Sequence, residues 1–124
     1  AQLNITAACV DDDDFANEAP ASATPLDPEG ESLEELAICP HTRDWYTIDA
    51  TAGGLAVFEI RFTHSQGDLD LRVLGGDMGL RGESRGEGDV ERVEVAVEGP
   101  ETLYIGVDGF DDAANTYTLT WNVP

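Results

Sequence analysis

Apolar and polar residues alternate with a period of two in six segments of this 124-residue chain. In one of them, Phe58, Ile60 and Phe62 are each separated by a single charged residue. Successive side chains of a β-strand point to opposite faces, so the pattern predicts strands with one dry and one wet face. Six such strands separated by turns predict an all-β protein with an antiparallel β-sandwich. The segments are 46–50, 56–62, 69–73, 93–97, 103–107 and 117–123.

The first 32 residues differ from the rest because they show no period of 2 or 3.6. Asp11 to Asp14 form an unbroken acidic run, and Pro and Gly then recur too often for a long helix or strand. We therefore expect residues 1–32 to be an extended, acidic and Pro-rich N-terminal arm that lies along the domain. Residues 33–124 are then the β-sandwich domain.

The charge of the chain restricts its partners. There are 26 acidic and 6 basic residues, all six of them Arg, for a formal net charge of −20. Such a field repels phosphate, which argues against nucleic acid and anionic membrane surfaces as partners. No apolar run approaches the roughly 20 residues of a membrane span, so we expect no membrane insertion. Cations, basic proteins and a saline medium remain compatible with the charge.

Two cysteines, Cys9 and Cys39, are far apart and lack the spacing of a metal site. In an acidic, Lys-free β protein, we interpret them as one disulfide formed in an oxidising compartment, with two unpaired thiols as the alternative. The chain begins at Ala1 without a charged and then apolar leader. We expect a secreted protein, seen either after removal of a signal peptide or as a piece of a longer chain.

Residues suited to catalysis are few. The two histidines are His41 and His64, and Ser65 next to His64 would point to the opposite face of a strand. Pairs of carboxylates are uninformative in a chain with 26 acids. We therefore predict that the domain is not an enzyme.

Four motifs occur in an order and spacing that resembles the bacterial pre-peptidase C-terminal domain. They are Asp44-Trp45-Tyr46, Gly67-Asp68-Leu69-Asp70-Leu71, Leu103-Tyr104-Ile105-Gly106-Val107 and Tyr117-Thr118-Leu119. That family comprises small all-β modules appended to secreted proteases, and the collagen-binding domains of clostridial collagenases are related to it. The resemblance implies a sandwich of jelly-roll type and a non-catalytic module. The module would target an attached exported enzyme to an extracellular or cell-surface polymer or surface protein. The alternative is an export or maturation appendage removed from its parent protein.

The resemblance also implies a structural calcium site on the arm. In the collagenase relatives, an acidic cluster on the arm and an Asp-x-x-Asp before the aromatic strand hold Ca²⁺. Here Asn17 and Glu18 match the arm, Asp44 matches the second Asp, and His41 stands at the first. Ca²⁺ takes six to eight oxygens, and the remaining carboxylates would come from Asp12, Asp13 and Asp14. The alternative is an acidic, solvated arm that binds Ca²⁺ only loosely.

Two further groups of residues have open interpretations. Asp68 and Asp70 bracket Leu69, and we expect their carboxylates to accept hydrogen bonds from loop amides, with a second cation site as the alternative. Trp45 and Tyr104 have the parity opposite to the core. We expect the arm to cover them, whereas an exposed aromatic face would suit a polymer.

Overall fold

The computed structural model describes residues 19–39 and 43–124. This part of the chain contains nine strands: β1 (Thr24–Pro25), β2 (Ser32–Ile38), β3 (Arg43–Ala50), β4 (Gly54–Arg61), β5 (Leu69–Leu74), β6 (Leu80–Ser84), β7 (Val90–Val97), β8 (Glu101–Gly109) and β9 (Asn115–Asn122). Single 3₁₀ turns occupy Pro20–Ser22, His64–Gln66 and Phe110–Asp112. None of the elements described is a helix long and apolar enough to cross a membrane.

The strands form two sheets packed face to face. The five-stranded sheet has the order β1-β3-β8-β5-β6, and the four-stranded sheet has the order β2-β9-β4-β7. All pairs are antiparallel except β1 with β3. The antiparallel β-sandwich predicted from the alternation is therefore confirmed.

The core lies between the two inner faces. Exposure alternates at every residue along β7 from Val90 to Val97, with Val93, Val95 and Val97 directed inward. Burial of each large apolar side chain contributes about 1.5–3 kcal/mol, so these faces supply the main driving force for folding. The fully buried apolar residues include Tyr46, Phe58, Ile60, Leu69, Leu71, Leu103, Ile105 and Leu119.

The described end of the arm is attached to both sheets. β1 pairs in parallel with β3, and the backbone N–H of Leu26 donates to the carbonyl oxygen of Thr47 at 2.8 Å. The Leu26 side chain is part of the core. On the other sheet, Trp121 Nε1 donates to the carbonyl oxygen of Asp27 at 2.9 Å. Residues 1–18 of the predicted arm lie outside the described part of the chain.

The strand β2 is irregular where it pairs with β9. The register shifts between Leu33 and Leu36, which marks a β-bulge. Within it, Glu35 has a left-handed backbone with φ 59°, and both Glu34 and Glu35 are exposed. The bulge interrupts the ladder at this edge of the four-stranded sheet.

Trp45 corrects one of the interpretations made from the sequence. It lies on the outer face of its sheet, as its parity predicts, yet it is only 6% exposed. Trp45 pairs with Gly106 on β8, and a Cβ at Gly106 would lie 2.7 Å from the indole Cη2. The indole therefore occupies the space that the missing side chain leaves. The alternative of an exposed aromatic face is therefore wrong for Trp45, and Tyr104 is half-buried. The expected cover by the arm involves residues 1–18, which lie outside the described part of the chain.

The packing of Trp45 against Gly106 predicts that any side chain at position 106 lowers the stability of the fold. Gly106→Ala should lower the free energy of unfolding by about 1–3 kcal/mol, because the added methyl forces the indole to move. Urea denaturation measures this. Gly88→Ala is the matched control, since nothing lies within 4 Å of a Cβ there. Equal stabilities of the two variants would contradict the packing described.

Candidate functional site

Three carboxylates from two sheets meet at one end of the sandwich. Asp68 precedes β5, Asp70 is the second residue of β5, and Glu91 is the second residue of β7. One side-chain oxygen from each lies within 4.8 Å of the other two. We call these residues the acidic cluster. Because β5 and β7 belong to different sheets, the cluster joins the two layers.

The position of β6 explains why this cluster can form. β6 pairs with β5 only from Leu71 onward, so the start of β5 has no β6 neighbour there. The chain then crosses to the other sheet through residues 85–89 and enters β7 at Val90. Glu91 has the inward parity of β7 and is thereby brought beside Asp70.

Glu91 is almost completely buried, with 1% of its surface exposed. Its Oε1 accepts a hydrogen bond from the Ser84 hydroxyl at 2.6 Å and another from the Gly86 backbone N–H at 2.9 Å. Its Oε2 has no hydrogen-bond partner among the described residues. One oxygen of the carboxylate is thus fixed by two donors, and the other accepts no hydrogen bond from the described residues.

Asp70 is 5% exposed, and its Oδ1 likewise lacks a hydrogen-bond partner in the described part of the chain. It lies directly opposite Asp108 on β8, and like charges in such a pair repel each other. Burial, followed by repulsion from Asp68, Asp108 and Glu91, raises the pKa of Asp70 from 3.8 to about 6, although Arg85 opposes the shift.

Asp68 contacts a histidine. His64 Nδ1 lies 3.3 Å from Asp68 Oδ1, and the backbone N–H of His64 donates to Asp89 Oδ1 at 2.8 Å. The backbone N–H of Phe110 donates to the carbonyl oxygen of Asp68, not to its carboxylate. Within residues 19–39 and 43–124, no amide donates to the carboxylate of Asp68 or Asp70. The expected hydrogen bonds to loop amides are therefore wrong, and the cluster is one that can hold a metal ion.

Asp44, the described member of the predicted calcium site, lies in the interior. It is fully buried, and its Oδ2 accepts a hydrogen bond from the Tyr117 hydroxyl at 2.5 Å. The hydroxyls of Tyr117 and Tyr46 are 2.8 Å apart. Burial, together with the neighbouring Tyr46 and Asp44, raises the pKa of Tyr117 well above its usual value.

The rest of that site falls outside the described residues, namely Asp12, Asp13, Asp14, Asn17, Glu18 and His41. Cys9 also falls outside, whereas Cys39 follows the last residue of β2. The arm calcium site and the Cys9–Cys39 disulfide therefore stay predictions.

Several solved structures have a fold similar to that of this chain. The pre-peptidase C-terminal domain of a collagenase from Bacillus anthracis matches with a TM-score of 0.65 and 14% identity, over 81% of this chain and 94% of that one. The chain has the fold of a pre-peptidase C-terminal domain. The same fold also occurs in proteins of other kinds. PliG of Aeromonas hydrophila, a periplasmic inhibitor of g-type lysozyme, matches with a TM-score of 0.59 and 15% identity, over 82% of this chain and 96% of that one.

A third structure is CorA, a surface-associated copper-binding protein of Methylomicrobium album BG8. It matches with a TM-score of 0.66 and 9% identity, over 82% of this chain and 98% of that one. No family model matches the sequence, and no curated protein does. The likeness to the pre-peptidase C-terminal fold therefore lies in the structure, at identities that show the fold alone.

Sequence reasoning identified two members of the acidic cluster and missed Glu91. The apolar alternation of β7 begins at Val93 in the sequence, and Glu91 extends it by one step at the inward parity. A charged residue at a core position is unusual, because burial of a charge without a partner is unfavourable. A charged residue at this inward position of β7 is therefore the sequence feature that points to Glu91.

The buried hydrogen bond to Asp44 can be tested by removing its donor. Tyr117→Phe should lower the free energy of unfolding by about 1.5–3 kcal/mol, because a buried carboxylate loses a hydrogen bond. Urea denaturation at neutral pH gives the value. Tyr104→Phe is the control, since Tyr104 is half-buried and should change stability by less than about 0.5 kcal/mol. If both variants keep wild-type stability, the bond has no net effect.

The raised pKa of Asp70 predicts a pH dependence. The folded state binds this proton more tightly than the unfolded chain, since about 6 exceeds 3.8. The contribution of Asp70 to stability therefore falls as the pH rises through this window. The asparagine side chain of the Asp70→Asn variant does not ionise. The unfolding free energy of this variant relative to wild type should therefore rise from about pH 4 to 6 and level off above that. Urea denaturation in EDTA across pH 4–8 measures the unfolding free energy of both proteins. If the two free energies change with pH in parallel, the raised pKa of Asp70 is contradicted.

Proposed function

We propose that this domain is a non-catalytic accessory module of an exported protein, and that it holds an attached enzyme on an extracellular or cell-surface polymer. The observation that carries the proposal is the structural likeness to the collagenase domain, which extends over 94% of that chain. Two further matching structures are a periplasmic and a surface-associated protein, which fits a secreted location.

The environment of the polar residues supports a non-catalytic role. His64 is held against Asp68, and its own backbone is hydrogen-bonded to Asp89. The pKa of Asp70, about 6, would suit proton transfer, yet its 5% exposure leaves little access for a polymeric substrate. In the described part of the chain, His64 and Asp70 are thus enclosed by neighbouring residues of the fold.

The outer face of the four-stranded sheet is a surface that suits a polymer. Two shallow depressions adjoin there and share Thr120, Trp121 and Asn122. One of them is also lined by Arg92, which pairs with Glu94 at 2.8 Å. Hydroxyl, amide and guanidinium groups on a flat sheet offer both donors and acceptors to a hydrogen-bonding polymer.

The arm would complete the module. We propose that the arm binds Ca²⁺ through Asp12, Asp13, Asp14, Asn17, Glu18 and Asp44, and that Cys9 and Cys39 form a disulfide. Support comes from the position of Asp44, which follows the first residue of β3. The calcium site would fix the arm to the start of β3, and the disulfide would fix it to the end of β2.

A pull-down on insoluble collagen, chitin and cellulose tests the proposed function. Wild type should be retained by at least one of the polymers, and Arg92→Ala with Asn122→Ala should weaken retention by about tenfold, as for the loss of two polar contacts. Arg43→Ala is the matched control, because Arg43 is exposed on the other sheet. A domain that washes through every polymer would favour the export or maturation appendage instead.

A further inference from the structure

We infer that the acidic cluster of Asp68, Asp70 and Glu91 binds one hard divalent cation, best matched by Ca²⁺, which links the two sheets of the sandwich. This site is separate from the calcium site proposed on the arm. It does not depend on the polymer-binding function.

The donor set and its spacing fit such an ion. All three donors are carboxylate oxygens, which hard cations prefer. Two Ca–O bonds of 2.3–2.6 Å on opposite sides of an ion separate their oxygens by about 5 Å. The cluster oxygens lie within 4.8 Å of one another, so one Ca²⁺ can contact all three without a rearrangement of the strands.

The second observation is independent of the clustering. Asp70 Oδ1 and Glu91 Oε2 are buried acceptors without a hydrogen-bond partner in the described part of the chain, on residues that are 5% and 1% exposed. Buried acceptors are nearly always paired, because an unpaired one has lost its water without replacement. A bound cation would satisfy both oxygens at once.

Hydrogen bonds also hold the Glu91 carboxylate in position, as is usual for a metal-binding side chain. Ser84 and Gly86 both donate to Oε1, so the carboxylate cannot rotate freely. Partners in an outer shell commonly orient metal-binding side chains and leave the binding atom open. Here they fix Glu91 from β6 and from the segment that leads to β7.

Positive charge on the described residues does not neutralise the cluster. Arg72 lies 3.7 Å from Asp108, on the neighbouring strand. Arg85 acts on Asp70 and pairs with Glu83 at 3.8 Å. His64 contacts Asp68 alone among the three. A divalent cation is therefore the simplest counter-charge for the buried pair.

The main alternative explanation is a proton shared between the carboxylate of Asp70 and those of its neighbours. A shared proton would satisfy the same oxygens without a metal. The two explanations differ in one measurable respect: only the metal site makes stability depend on Ca²⁺ at a pH where the carboxylates are ionised.

The test is equilibrium dialysis of the full chain with ⁴⁵Ca²⁺ at pH 7.5, combined with thermal unfolding in Ca²⁺ and in NaCl of equal ionic strength. Asp70→Asn and Glu91→Gln should each bind one Ca²⁺ fewer than wild type. The rise in melting temperature that Ca²⁺ gives beyond NaCl should be at least about 5 °C in wild type and smaller by that amount in both variants. Glu98→Gln has the same change of charge at an exposed position and should behave as wild type.

Two further measurements distinguish this cation site from its alternatives. Glu18→Gln alters the proposed arm site and should keep the Ca²⁺ that Asp70→Asn loses. In EDTA, Asp70→Asn should melt at or above wild type, because it removes a buried repulsion, and this order should reverse in Ca²⁺. Equal Ca²⁺ stoichiometry in wild type and Asp70→Asn would overturn the inference, and so would identical melting in Ca²⁺ and NaCl. Either result would leave the shared proton as the explanation.

Discussion

The contact between the apolar inner faces of the two sheets is the interaction on which the rest of the structure depends. It requires that every residue at the inward parity be apolar or fully satisfied by its surroundings. Asp44 and Glu91 are the buried acids at this parity, one on each sheet. Asp44 accepts a hydrogen bond from a buried tyrosine, whereas Glu91 has one oxygen engaged and one open. The acids at inward positions thus mark where the sandwich departs from a purely apolar core.

The composition restricts how buried acids can be neutralised. Six arginines serve 26 acidic residues, and most of the arginines pair with carboxylates on the outer faces. Arg81, for example, lies 2.6 Å from Glu101 and also donates to the carbonyl oxygen of Ala96. Little cationic charge of the chain's own is left for the interior. The cation inferred at the acidic cluster would supply part of the difference, which connects the acidic composition to the buried carboxylates.

The sequence predicted the fold well because strand parity is a local property. Alternation along Phe58 to Phe62 or Leu69 to Val73 identifies the inward residues without knowledge of any neighbour. It predicted less about exposure, since Trp45 faces outward and is still covered beside Gly106. The acidic cluster was the least accessible to sequence reasoning. Its members come from strands in different sheets, and they meet only because β6 stops short of the start of β5.

The bulge in β2 has a consequence for how copies of this domain behave side by side. β2 is an edge strand, and an unbroken edge can pair with the edge of another molecule. Here the left-handed Glu35 interrupts the ladder, and two exposed glutamates place negative charge beside it. Copies of this domain at high local concentration would therefore repel one another at this edge, which disfavours intermolecular β-sheet and aggregation.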